Sequence, residues 1–434
     1  TNVAFISNEV GSGGHSGAVS SSGNLVVSGS TFSENKAVDG GAIGIFGGTA
    51  TIVNSTISGN SADGRGGGIY VSDGTVTIRN STITGNRADA KGTTNERGGG
   101  ILSLVSSVTM HNSIVAGNFR GTVTASTPND LSGATMDNSS SFNIVGDSSF
   151  AAGMVHANNN NIVGNSGTGT RDIATILNTT LADNGGQTMT HALVAGSVAI
   201  DSGSNAQAIG TSGALTSDQR GLPVARISGT RVDRGAYEVF DGPILVSTLS
   251  DELDGDFSSG DLSLREAIDF ANRSPGVNTI SFDASLTGRT INVNLGQLTI
   301  SDGLNIVGPG ADKLAISGNN RAHRILLIDD GSTANSIDVS ISGLTFRDAG
   351  DGVTNISGGA IIASENLTLT NMAFVSNDVG PVGHSGAVSS GGNLVISGST
   401  FSENKAGNAG GGAIGIFGGT ATIVNSTISG NTAN

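Results

Sequence analysis

The sequence predicts an all-β fold: a right-handed parallel β-helix, or β-solenoid, with a short N-terminal capping helix per domain and tandem domain copies. Three observations predict it. A coil-length phrase recurs, as "GSTFSENKA" (29–37), "NSTISGNSA" (54–62), "NSTITGNRA" (80–88) and "NSIVAGNFR" (112–120). Between these phrases stand Gly-rich turns and short segments such as "TATIV" and "TVTIR", whose alternation has the period of a strand with one buried face. On a larger scale, "GGAIGIFGGTATIVNSTISGN" occupies both 40–60 and 411–431. Several short strands per turn of about 25 residues, with no helical periodicity between them, match a solenoid.

Composition supports a thin, regular core. The 434 residues include 69 Gly, 6 Pro, 14 Phe, 2 Tyr and no Cys or Trp. Charged residues are 13% and apolar residues 36%, too little charge for a solvated disordered chain. The formal net charge of −15 with no basic run disfavours nucleic acid as a partner. No apolar run approaches the roughly 18–20 residues of a membrane span. Without cysteine, a disulfide framework and thiol catalysis are excluded. Thr1 begins inside a repeat, which suggests a fragment or processed product.

Each element follows from the phrase. Inward positions should stack from coil to coil, Ile43, Ile69 and Ile101 in one row and Phe32, Ile57, Ile83 and Ile114 in another. The last Asn of each phrase should form a structural ladder of side-chain amides that satisfies turn backbone. Its members are Asn8, Asn35, Asn60, Asn86 and Asn118, then Asn377, Asn404 and Asn431 in the second copy. The longest step holds the loop "DAKGTTNERGGG" (89–100), read as a tolerated insertion.

The long repeat has a period of about 370 residues and divides the chain. Residues 1–238 are read as the C-terminal part of one copy, 239–243 as a linker, and 244–434 as the N-terminal part of the next. Within the last, 244–282 form a cap and 283–434 the coils. "SLREAIDFANR" (263–273) is the best helix, with Ser263 and Glu266 as a capping box. As a capping helix carrying Leu264, Arg265, Glu266 and Ile268, it would cover apolar rows at an open end.

These segments carry a family resemblance. "GDLSLREAIDFAN" resembles the CSLREA domain that opens many secreted bacterial β-helix proteins. The family's usual cysteine before "SLREA" is Leu262 here, and its partner is Phe257, so the resemblance implies an apolar pair where a disulfide would stand. "LADNGGQTMTHALVAGSVAIDSGSN", "SDQRG" and "DRGAYE" resemble the choice-of-anchor Q region that closes such domains. The coils resemble those of polymorphic outer-membrane and adhesin-type proteins. Together these imply a right-handed β-helix on a bacterial extracellular or cell-surface protein.

Candidate chemistry is sparse. Lyases and hydrolases of this fold need clustered carboxylates with a base, or paired carboxylates. Acidic residues of the first coils, Glu9, Glu34, Asp39, Asp63, Asp73, Asp89 and Glu96, do not repeat in register. "SDELDGDFSSGD" (250–261) has the composition of a Ca²⁺ loop, with Asp251, Asp254 and Asp256 as candidate ligands, but lacks EF-hand spacing; a solvated loop is the competing reading. Asp218, Arg220, Asp233 and Glu238 are read as domain-closing residues, with Arg220 pairing a carboxylate to lock the terminal coil. His15 and His384 are equivalent loop positions. Asn-x-Ser/Thr occurs at Asn54, Asn80, Asn138, Asn178, Asn272, Asn355, Asn366 and Asn425, and at Asn54, Asn80 and Asn425 coil packing explains it.

The expected function is a non-catalytic structural or adhesive repeat of a long surface protein, forming a stiff rod, filament or surface fibre. No cofactor is expected beyond Ca²⁺. The expected partners are other copies of the protein, as adjacent domains or filament and surface-layer neighbours, and glycans. The alternatives are a polysaccharide-binding or polysaccharide-cleaving module and an autotransporter-type passenger.

Overall fold

The computed structural model describes all residues except 12, 94–96, 106, 241, 258–259, 321–322, 333–335, 351–356, 408–409 and 434. Glu96, Asn355 and parts of the 89–100 loop and the 239–243 linker lie outside the described residues. The chain forms two compact units, Thr1–Asp241 and Gly242–Asn434.

Unit 1 is a parallel solenoid. Its first sheet stacks Ala4–Ile6, Thr31–Ser33, Thr56–Ser58, Thr82–Thr84, Ile114–Val115, Ile144–Val145 and Ile162–Val163. A second sheet runs from Lys36–Ala37 through Ser61–Ala62 and Arg87–Ala88 to Phe119–Arg120. The third is built on the long strands Ile43–Val53 and Ile69–Arg79. Unit 2 repeats this plan; its counterpart of the first sheet stacks Arg289–Asn292, Leu314–Ser317, Thr345–Arg347, Ala373–Val375, Thr400–Ser402 and Thr427–Ser429.

The core rows follow the registers. Ile43, Ile69 and Ile101 pair in sequence and continue to Leu131, all fully buried. Phe32 pairs with Ile57 and Ile57 with Ile83, but Ile83 pairs with Val115, not Ile114. The expected place of Ile114 in this row is therefore wrong by one residue. In "NSIVAGN" the position after Ser113 is apolar where the other phrases carry Thr, so two branched residues compete for the row. The Asn ladder fixes the register, and Ile114 takes the outer face, where a second cluster with Ala116, Ile144, Ile176 and Leu177 buries it. A one-residue shift exchanges faces in any strand.

The ladder is geometrically uniform. The Oδ1 of Asn60 accepts from the backbone N–H (3.0 Å) and the Nδ2 (2.8 Å) of Asn35, and Asn60 donates likewise to Asn86 and Asn86 to Asn118. Asn8 donates to Asn35, and in unit 2 Asn377 donates to Asn404 and Asn404 to Asn431. The remaining Nδ2 hydrogen reaches a carbonyl of the preceding coil, as from Asn60 to Phe32. A second ladder runs through Ser30, Ser55, Ser81 and Ser113, each hydroxyl accepting from the preceding backbone N–H. The first Asn of each phrase has a different role. Asn54, Asn80, Asn112 and Asn425 adopt φ of 46°, 48°, 49° and 51°, the left-handed region that Asn tolerates. Asn54 and Asn80 are also buried, which closes both to a glycan.

Replacing Asn60 by Ala leaves two buried donors of Asn35 without acceptors, and is expected to cost about 2 kcal/mol. Asn8 sits at an exposed edge, so Asn8→Ala should cost less than about 1 kcal/mol. Urea unfolding of both variants checks the contrast.

Candidate functional site

The densest constellation of buried polar groups lies where residues 181–238 fold back over the outer face of the first sheet. That face carries Thr31, Thr56 and Thr82, which a sheet with one wet side would expose; all three are at most 2% exposed. Gln219 explains much of this. Its Nε2 donates to Thr31 (2.9 Å) and Thr188 (2.9 Å), and its Oε1 accepts from Thr56 (2.6 Å). His191 Nε2 lies 2.8 Å from the Ser58 hydroxyl, and burial holds its imidazole below its ordinary pKa. Further along, the Ala236 N–H donates to Thr82, and Asn112 bridges Ser204 and Asn80. Gly235 makes the close approach with φ of +99°; a Cβ there would lie 2.8 Å from Ile114 and Thr82.

An ionic network holds this segment to itself. Arg220 pairs with Asp218 at 2.9 Å and stacks 3.8 Å above Tyr237. Burial opposes the Arg220 charge, but Asp218 and Tyr237 outweigh it and raise its pKa. The same Asp218 oxygen, Oδ2, also accepts the Glu238 N–H at 2.8 Å, while Oδ1 accepts the backbone N–H of Arg220. Glu238 accepts from the N–H groups of Ser228 (3.0 Å) and Asp233 (2.9 Å), and Asp233 from Asp201 and Val239. Burial pushes the Asp233 carboxyl up to about 6 and that of Glu238 up to about 8. The four domain-closing residues named from the sequence thus lie in one network.

Two central members were not legible in the sequence. Arg226, fully buried, lies 3.5 Å from Glu238 and donates to Asn80 and to the carbonyls of Asp233 and Gly235. Gln219 carries no motif beyond its place in "SDQRG". The carboxylates have spent their acceptor capacity on backbone amides and arginines, so the arrangement fastens a segment and offers no exposed acid–base pair.

The acidic stretch 250–261 does not gather into a metal-ligating group among the described residues. Asp251 is bound to Arg265 (2.7 and 3.0 Å) and accepts the N–H groups of Asn294 and Leu295. Burial works against its charge, yet those bonds outweigh it and hold the carboxyl below the usual range. Asp254 accepts the Asp256 N–H, and both side chains stand in an exposed turn. Glu266 stitches this turn to helix Leu264–Arg273, accepting from Asp254, Gly255 and Ser263. The helix buries Leu264, Ala267, Ile268, Phe270 and Ala271 and packs against strands Ile244–Val246, Asn278–Phe282 and Leu298–Ile300 of unit 2. Phe257 meets Phe270 edge to face, and Leu262 is buried.

Oxygens of Asp329, Asp330 and Glu365 do lie within 4.8 Å of one another. All three also serve local backbone, accepting from Gly331, Ser332 and Ile337. His15 contacts Asp39 and Phe46, and its counterpart His384 contacts Phe417, as loop side chains.

Two comparisons bear on these coils. No curated protein matches the chain. Residues 1–139 match the family model described as a right-handed β-helix region, which ends before the fold-back segment begins. The chain is therefore an all-β parallel β-solenoid whose matched coils are those of a right-handed β-helix.

Proposed function

We propose that the protein is a non-catalytic structural or adhesive repeat of a long bacterial surface protein, in which tandem copies build a stiff extracellular rod. One observation carries the reading. The same coil, with its ladder and its turn geometry, stands in both units, at 29–60 and 398–431, as a polymer of equivalent copies requires. The buried polar groups are committed to holding the solenoid together, and each coil adds only about 4.8 Å. The resemblance of 260–272 to the CSLREA domain and of 181–238 to the choice-of-anchor Q region supports an opening and a closing element per copy, and a secreted setting.

Electron microscopy of the native material tests this: filaments or a surface layer are expected, and discrete globular particles overturn it. A second reading, a glycan-binding module, rests on a polar groove of about 310 Å³ along the second sheet, where Glu9, Glu34 and Lys36 converge. Reducing-end release from an acidic polysaccharide would replace both readings with an enzyme.

A further inference from the structure

Three buried carboxyls and two buried guanidiniums meet where the fold-back segment ends. Asp218, Asp233 and Glu238 are at most 2% exposed, and Arg220 and Arg226 at most 3%. Fully ionised, these groups carry one more negative charge than positive. Sealed from water, such an excess is costly, and a carboxyl that can take up a proton does so instead.

The surrounding groups do not make up the deficit. Arg234 spends its donors on the carbonyls of Ser202 and Asn143. Arg231 is exposed, and Asp201, also exposed, is a further acid that accepts the N–H groups of Thr230 and Arg231. Tyr237 lies under Arg220 as a phenol whose pKa burial raises. The coil beneath contributes Asn80 and Thr82, both uncharged. Geometry shows where the missing charge sits. Arg220 meets Asp218 at 2.9 Å, whereas Arg226 stands off Glu238 at 3.5 Å, with its Nε and Nη1 in no hydrogen bond. Glu238 is held by the N–H groups of Ser228 and Asp233 and is not fastened as an ion pair.

The same groups pin the residues that lead into the linker. The Glu238 N–H donates to Asp218 and its carbonyl accepts from Arg220. The Val239 N–H donates to Asp233 (2.7 Å), and the Ala236 N–H ties the stretch to Thr82 on the coil (3.0 Å). We propose that this constellation is a proton-gated clasp: closed while its three carboxyls hold one proton, it opens when that proton leaves, and residues 236–239 then lift from Asn80 and Thr82. The closed clasp holds a proton that the open one releases, so opening becomes more favourable as pH rises. The gain is about tenfold per unit from the usual carboxylate range up to about 8, the value to which burial pushes Glu238, and it levels off above that. The clasp does not depend on copies building a rod, and absence of filaments leaves it standing.

Hydrogen exchange of the full chain at pH 6 and pH 9, corrected for the intrinsic pH dependence of exchange, tests it. Protection of the Glu238 and Val239 amides should fall about tenfold or more between the two. At pH 9 these amides should also be about tenfold or more less protected than those of Asn60 and Asn86, because the clasp opens without the solenoid. Glu238→Gln should reduce the fall to less than about threefold. Asp233→Asn should flatten it as well, since loss of either carboxylate balances the remaining charges, and it carries the test if Glu238→Gln does not fold. The proposal is overturned by a flat profile in the parent, or by a fall in either folded variant as large as the parent's. Equal protection of clasp and ladder amides at pH 9 also overturns it, because the unit would then open only as a whole.

Discussion

Arg220→Ala is expected to destabilise unit 1 by about 3–5 kcal/mol, the cost of breaking a buried ion pair from one side. The side chain is 1% exposed and its Asp218 partner 0%, so water cannot replace the guanidinium. Its loss strips Asp218 of two charge-assisted contacts and removes donors from the Asn184 and Glu238 carbonyls. It also leaves the face of Tyr237 without its stacked cation. Arg220→Lys should recover only a minor part, because an ammonium cannot serve a carboxylate, two carbonyls and a ring from one planar fork. Urea unfolding measures the loss, and a cost below about 1 kcal/mol would refute the role. The variant should also speed maleimide labelling of a thiol introduced as Thr31→Cys, since the network holds the cover over that residue.

The solenoid was legible in the sequence because its determinants are local and repeated. Asn60 and Asn86 announce the ladder through spacing, and Ser263 with Glu266 announces the helix start through a four-residue motif. The cover over the first sheet was not legible, for a physical reason. "STIS" and "STIT" alternate as a strand with one wet face, and nothing in a Thr side chain distinguishes a hydroxyl bonded to water from one bonded to Gln219 (2.6 Å). The only local sign was Ile114, an apolar residue where the phrase elsewhere has Thr. Read by register, it marks the coil whose outer face is apolar because another layer lies upon it. The acidic stretch is a different case: Asp251, Asp254 and Asp256 are neighbours in sequence, but Arg265, on the capping helix, pairs with the Asp251 carboxylate alone.

Stability of unit 1 should fall as pH rises from about 5 to 8, and Asp130→Asn should remove a large part of that fall. Asp130 ends the Asn ladder: its Oδ1 accepts the N–H (3.0 Å) and Nδ2 (2.9 Å) of Asn118, and its Oδ2 the Asp147 N–H (2.8 Å). Complete burial outweighs those bonds and pushes the carboxyl up to about 7, well above its unfolded value of about 3.8. The native state therefore holds a proton that the unfolded chain has released, and stability declines with pH between those two values. The full difference is on the order of 4 kcal/mol at alkaline pH. Glu238, at about 8, and Asp233, at about 6, add slopes of the same sign. His111, whose imidazole burial lowers to about 4, opposes them below about pH 6.5, because its unfolded form gains a proton there. An Asn at position 130 keeps the ladder acceptor for Asn118 without a charge, but its amide nitrogen cannot accept from Asp147, at a cost of about 1 kcal/mol. The variant should thus be close to the parent in stability at pH 5, ahead by less than about 1 kcal/mol, and more stable by about 3 kcal/mol at pH 8. Urea midpoints at the two pH values decide it: parallel curves for parent and variant would show that Asp130 is not the titrating group.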